Sequence, residues 1–145
     1  MPTVTSYQPG VPSWIDLMTS DPEGARVFYG ELFGWEFDIG GEDTGHYTMC
    51  RKNGENAAGM GGDPAPEGMP TAWTTYMASD DVDAAAERIT ANGGNLMMEP
   101  MTVMQYGRMV VAADPTGAAF GLWQTQEHIG ASTPPLPRRS DSVGW

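Results

Sequence analysis

Two stretches of this chain repeat one another, and any fold it adopts has to accommodate the duplication. Trp14-Ile15-Asp16-Leu17-Met18-Thr19-Ser20-Asp21 is echoed by Trp73-Thr74-Thr75-Tyr76-Met77-Ala78-Ser79-Asp80. Each copy is strand-like and each runs into a helical pattern. Asp21-Pro22 is a good helix start, because Asp caps the first turn and Pro is welcome within it. Ala25, Phe28, Tyr29, Leu32 and Phe33 then recur at helical spacing as one apolar stripe, and Gly34 is a stop. The second helix starts at Asp80 or Asp81. Its stripe is Val82, Ala85, Ala86 and Ile89, and Gly93-Gly94 end it.

Short strands follow each helix. The first set is Trp35 to Ile39, His46 to Lys52 and Ala57 to Met60, with Asn53-Gly54 as a tight-turn signal. The second is Asn95 to Glu99, Tyr106 to Ala113 and Ala118 to Gln124, with Pro100 to Gln105 as a loop or irregular strand and Asp114-Pro115-Thr116-Gly117 as a turn. Each half therefore reads β-α-β-β-β. Module one covers about residues 10–62 and module two about 69–126, joined by a Gly/Pro-rich linker from Gly61 to Gly68. At 145 residues the length suits one domain, taken as 1–131. Residues 132–145 carry three prolines and no period, and are expected to be extended, disordered or docked on a partner chain.

Charge narrows the partners. Nineteen acidic residues against seven basic ones give a net charge of −12, which repels phosphate backbones and anionic membranes. No apolar run approaches the roughly 18 residues that a membrane helix needs. The N-terminal residues lack the basic flank and apolar stretch of a secretory signal. The single cysteine, Cys50, excludes an intrachain disulfide framework and a multi-thiolate metal site, so a cytoplasmic setting is expected.

The tandem β-α-β-β-β pair resembles the vicinal oxygen chelate superfamily, which includes glyoxalase I, extradiol dioxygenases, fosfomycin-resistance enzymes and bleomycin-resistance proteins. The resemblance covers roughly residues 10–127. It rests on Asp21-Pro22, Phe28-Tyr29, Leu32-Phe33-Gly34-Trp35, Asp81-Val82-Asp83-Ala84-Ala85, Gly93-Gly94, Asp114-Pro115-Thr116-Gly117-Ala118 and Phe120-Gly121-Leu122-Trp123-Gln124. It implies an α+β fold of two tandem βαβββ modules, with curved mixed sheets and helices on the convex side. Chains of this fold and length usually pair as homodimers, with pockets at or near the interface.

The resemblance also implies a divalent metal held by His or Glu on the first and fourth strands of each half. Here those positions carry Trp14, Gly59 (Met60 with a one-residue slip), Thr74 (Trp73 with a slip) and Gly121. Trp, Gly and Met do not ligate a hard cation and neutral Thr is a poor ligand, so neither metal nor other cofactor is expected. His46 and His128 do not rebuild a site. The two glycines instead leave room, or let a flat ligand approach the backbone. Trp14, Tyr47, Tyr76, Trp73 and Trp123 offer ring walls, and Met18, Met49, Met60, Met101, Met104 and Met109 an adaptable apolar lining. Asp16 shares a strand face with Trp14 and Met18, where a desolvated carboxyl serves as acid or base. Arg108 or Arg51 would pair with it or bind a ligand acid group, and Tyr47 and Tyr106 would donate hydrogen bonds.

Three functions follow from these expectations. The first is a metal-free protein of the bleomycin-resistance type that sequesters an aromatic or amphipathic metabolite or antibiotic. The second is a metal-independent cyclase, lyase or isomerase on a natural-product intermediate, with Asp16 working alongside Tyr47 or Arg108. The third, a metal-dependent glyoxalase or dioxygenase, lacks its ligands.

Overall fold

The structure is a computed structural model that describes residues 4–61, 68 and 70–132. The linker at 62–67 and the tail at 133–145 lie outside the described residues. The first half comprises β1 (Pro12–Met18), α1 (Pro22–Phe33), β2 (Glu36–Ile39), β3 (Thr48–Lys52) and β4 (Glu55–Met60). The second comprises β5 (Ala72–Ala78), α2 (Val82–Ala91), β6 (Asn95–Val103), β7 (Gly107–Ala113) and β8 (Ala119–Thr125). Both halves are β-α-β-β-β units, as the periodicity predicts. A short 3-10 turn at Glu42–Thr44, which the sequence did not suggest, precedes β3.

Local chemistry sets the helix limits. The Asp21 side chain accepts from Gly24 N at 3.0 Å, and Gly34 ends α1 in the left-handed region at φ 71°. Lys52 Nζ donates to the Phe33 carbonyl at 2.7 Å, capping the same end. Asp81 caps α2 through Ala84 N at 3.1 Å. The expected α1 stripe is only partly covered: Tyr29 and Ala25 pack on the sheet, whereas Phe28 and Leu32 stay 58% and 57% exposed.

All eight strands join one sheet in the order β2-β3-β4-β1-β5-β8-β7-β6. The two halves meet at its centre, where β1 and β5 run antiparallel with Trp14 opposite Tyr76 and Asp16 opposite Thr74. Flanking them, β4 and β8 run parallel, aligning Asp16 with Gly59 and Tyr76 with Gly121. The structural repeat thus equates Asp16 with Tyr76, one residue away from the register of the Trp14/Trp73 echo. Beyond Glu99, where a loop or irregular strand was expected, β6 continues through Pro100 to Val103. It is an edge strand with two register shifts, and an edge tolerates the missing proline N–H.

Period-2 alternation sorts the side chains onto two faces. On one, Leu17, Cys50, Ala58 and Met60 form a core against Ala25, Tyr29, Trp35 and Phe37. On the other, Trp14, Tyr76 and Trp123 cluster with Met49, Val103, Tyr106 and Met109. No helix among the described residues is long and apolar enough to cross a membrane.

Candidate functional site

The face away from the helices holds a cavity of about 440 Å³ that draws on both halves. Trp14 and Asp16 come from β1, Tyr47 from the residue before β3, Tyr76 from β5, and Met109 and Trp123 from β7 and β8. The hairpin after β6 closes one side with Met104, whose backbone is left-handed at φ 47°. That conformation costs a non-glycine residue about 1–2 kcal/mol.

Asp16 is the polar centre. Tyr47 Oη donates to its Oδ2 at 3.3 Å and Tyr76 Oη to the same oxygen at 3.2 Å, while Trp14 Nε1 donates to Tyr47 Oη at 3.1 Å. No described residue donates to Asp16 Oδ1. Burial lifts the Asp16 carboxyl to about 6, against the opposing pull of the two tyrosine hydroxyls. Burial, with the Asp16 charge beside them, also pushes both phenols above their ordinary value, so they remain donors. Each tyrosine ring is admitted by a glycine. A Cβ on Gly59 would fall 2.5 Å from Tyr47 Cζ, and one on Gly121 would fall 3.0 Å from Tyr76 Cγ and nearer still to other ring atoms. The room expected at Gly59 and Gly121 is therefore filled by the protein's own rings, and neither glycine lines the cavity.

His128 lies against this centre, edge-on to Trp14 with ring centroids 4.5 Å apart. Its carbonyl accepts from Trp123 Nε1 at 2.6 Å, which folds the segment after β8 back over the sheet. Burial depresses the imidazole to about 4, so the ring is neutral at pH 7, and among the described residues its buried Nε2 has no hydrogen-bond partner. Asp38, Asp43 and Thr44 also line the cavity. Among the described residues, no Lys or Arg lines it.

Of the residues expected in the site, the cavity gathers Trp14, Asp16, Tyr47, Met49, Tyr76, Met104, Met109 and Trp123. Met101 and Tyr106, also expected, line it too, and the remaining ones lie elsewhere. Met60 is buried in the helix-side core beside Leu17. Trp73 faces α1, where its Nε1 donates to Tyr29 Oη at 3.0 Å. Met18 covers Gly61 and does not line the cavity. Thr74, opposite Asp16, does not line it either. Arg108 points to the helix side, where Nε and Nη2 each donate to the Asp83 carboxylate at 2.7 Å. Arg108 thus does not line the cavity, and Arg108→Gln is expected to leave ligand titrations unchanged within about twofold, a surface pair of this kind contributing little elsewhere. Arg51 pairs with Asp38 at 3.3 Å and does not line the cavity.

Asp38, Asp43 and His128 were not among the expected site residues. Asp38 alternates with Phe37 on β2, a readable signal. His128 follows the last strand, where no periodicity applies.

The implied divalent metal can be tested against these residues. The fourth-strand positions are glycines with tyrosine rings in their space, and Trp14 fills the first-strand position. Among the described residues no three His, Cys, Asp or Glu side chains converge. The donor set does not fit a metal ion.

Known proteins place the chain. It is 46% identical over 138 residues to "Putative glyoxylase CFP32" of Mycobacterium tuberculosis, covering 91% of this chain and 52% of that one. It is 37% identical over 158 aligned positions to anthracycline biosynthesis protein DnrV of Streptomyces peucetius, covering 98% and 56%. The chain thus spans about half the length of these curated relatives. The Mn(II)-bound glyoxalase from Novosphingobium aromaticivorans shares the fold at a TM-score of 0.56 and 15% identity, over 92% of this chain and 44% of that one. The family model named Glyoxalase/Bleomycin resistance protein/Dioxygenase superfamily matches residues 12–122, which takes in both repeats and the sheet they build, and the chain belongs to that superfamily.

Proposed function

We propose that this protein binds a small, flat, largely apolar organic molecule without a metal ion, in the manner of bleomycin-resistance proteins. The observation that carries the reading is the cavity, about 440 Å³ of space walled by Trp14, Tyr76, Trp123 and methionines with one carboxyl at its centre. Ligand sites of this kind run from about 300 to 1,000 Å³, mostly apolar with a few placed polar groups. The relative named for anthracycline biosynthesis supports an aromatic product of secondary metabolism as the guest. The reading includes a homodimer, the usual state of chains of this fold and length.

Titration with fused-ring aromatics, an anthracycline among them, should quench tryptophan fluorescence saturably, since Trp14 and Trp123 both line the cavity. Met109→Trp fills that space and should weaken the titration at least about tenfold, equivalent to about 1.4 kcal/mol. A wild-type protein that shows no saturable change with any such compound would remove the reading.

A second reading is favoured by Asp16. A buried carboxyl lifted to about 6 and touched by two phenols suits proton transfer on the bound molecule, as in a cyclase, lyase or isomerase. Turnover of a natural-product intermediate, lost in Asp16→Asn while binding persists, would establish it.

A further inference from the structure

Resting on the binding reading above, we infer that the guest carries a protonated amine, which the open Oδ1 of Asp16 receives at the centre of the cavity. Three observations converge on this. First, both tyrosine hydroxyls donate to Oδ2, and among the described residues nothing donates to Oδ1. Asp16 is largely buried yet lines the cavity, which is where a guest would meet it.

Second, the charge around the cavity has one sign. Asp16, Asp38 and Asp43 line it, while Lys and Arg are missing from its lining among the described residues. Arg51 neutralises part of Asp38 from outside, at 3.3 Å, and leaves Asp16 untouched. A carboxylate held in an apolar cavity without a cation is incompletely compensated, because hydroxyl donors offset only part of its lost hydration. An ammonium donor supplies the missing charge and a charge-assisted hydrogen bond. A guest carboxylate or phosphate would meet three carboxylates and, among the described residues, no lining Lys or Arg.

Third, the walls suit the rest of such a molecule. Trp14, Tyr76 and Trp123 line the cavity with Asp16, so an alkylammonium on a flat skeleton finds aromatic rings beside both its charge and its carbon frame. The overall charge of −12 draws cations toward the opening.

The test uses three probes of one shape measured by calorimetry on the whole chain: 1-naphthylmethylamine, 1-naphthylmethanol and 1-naphthoic acid. At neutral pH the amine is expected to bind at least about tenfold more tightly than the alcohol, and the acid most weakly, a charged partner being worth that much at a desolvated site. The amine's advantage should vanish in Asp16→Asn. In the wild type it should decline as pH falls through about 6, where Asp16 takes up a proton. The other groups lining the cavity do not obscure that profile: the phenols of Tyr47 and Tyr76 stay protonated, His128 charges only near 4, and Asp38 and Asp43 are retained in Asp16→Asn, whose profile subtracts their effect. Should Asp16→Asn fail to fold, the wild-type pH profile decides. Equal affinity for amine and alcohol overturns this inference and leaves the binding reading intact. Tighter binding of the acid overturns it too. If none of the three probes binds, and no fused-ring aromatic quenches tryptophan fluorescence, the binding reading falls and takes the inference with it.

Discussion

Gly121→Ala is expected to lower stability by about 3 kcal/mol, the upper end for adding one carbon to a packed interior. The added methyl would lie 3.0 Å from Tyr76 Cγ and closer to the ring edge. The ring has little freedom to yield. Tyr76 is 5% exposed, packs on Trp14 and Trp123, and donates to Asp16 at 3.2 Å. The backbone is equally confined, because β8 lies inside the sheet between β5 and β7. Relief therefore requires the ring to leave, which also strips Asp16 of one donor and disturbs the cavity. Denaturant unfolding measures the loss. Tyr76→Ala combined with Gly121→Ala should cost less than the two changes summed, since the clash is gone. If Gly121→Ala unfolds within about 0.5 kcal/mol of the wild type, the ring does not occupy that hollow.

The dependence of stability on pH should be nearly flat between about 4 and 6 in the wild type and steep, with opposite signs, in two variants. Burial raises the Asp16 carboxyl from 3.8 to about 6, so in that window the folded chain binds more protons than the unfolded one. That group contributes stability at low pH, which is lost as pH rises through 6. Burial lowers His128 from 6.5 to about 4, so there the unfolded chain binds more protons. Its contribution is present at neutral pH and lost as pH falls toward 4. One pH unit of difference corresponds to about 1.4 kcal/mol, giving each group about 3 kcal/mol of opposite sense. Asp16→Asn should leave the histidine's effect alone, with stability falling on acidification. His128→Phe should leave the aspartate's, with stability falling as pH rises from 4 to 6. The remaining carboxylates are common to both, so the difference between the two variants isolates the pair. Parallel profiles for the two variants would refute the burial of either group.

Elements were readable where chemistry is local. Asp21, Gly34 and Asp81 marked helix limits because caps depend on a few neighbouring residues. The duplicated pattern exposed both modules for the same reason. Side-chain placement was readable where alternation was followed through. Arg108 and Met109 are adjacent on β7, so only one can face the cavity, and the methionine does. Gly59 and Met60 separate in the same way, the methionine entering the helix-side core. Trp73 and Tyr76 needed the pairing of β5 with β1 and β8 to settle their faces.

Other features depend on contacts between distant parts of the chain. Gly59 and Gly121 announced space, but the rings that take it come from neighbouring strands. His128 is carried to Trp14 by a returning segment in which Ala131 N donates to Ser13 O at 2.7 Å. No local pattern encodes either arrangement. The carboxyl of Asp16 was visible as a residue type on an inward face, whereas its two tyrosine donors, from separate halves, were not visible as a pair.

The seam between β1 and β5 carries a mechanical consequence. Tyr47 and Tyr76 reach the same oxygen from opposite sides of that seam. A guest seated there would touch both modules and brace the strands that join them. Occupancy would act as a rivet through the midline, slowing amide exchange most along β1 and β5 and least at the outer strands β2 and β6.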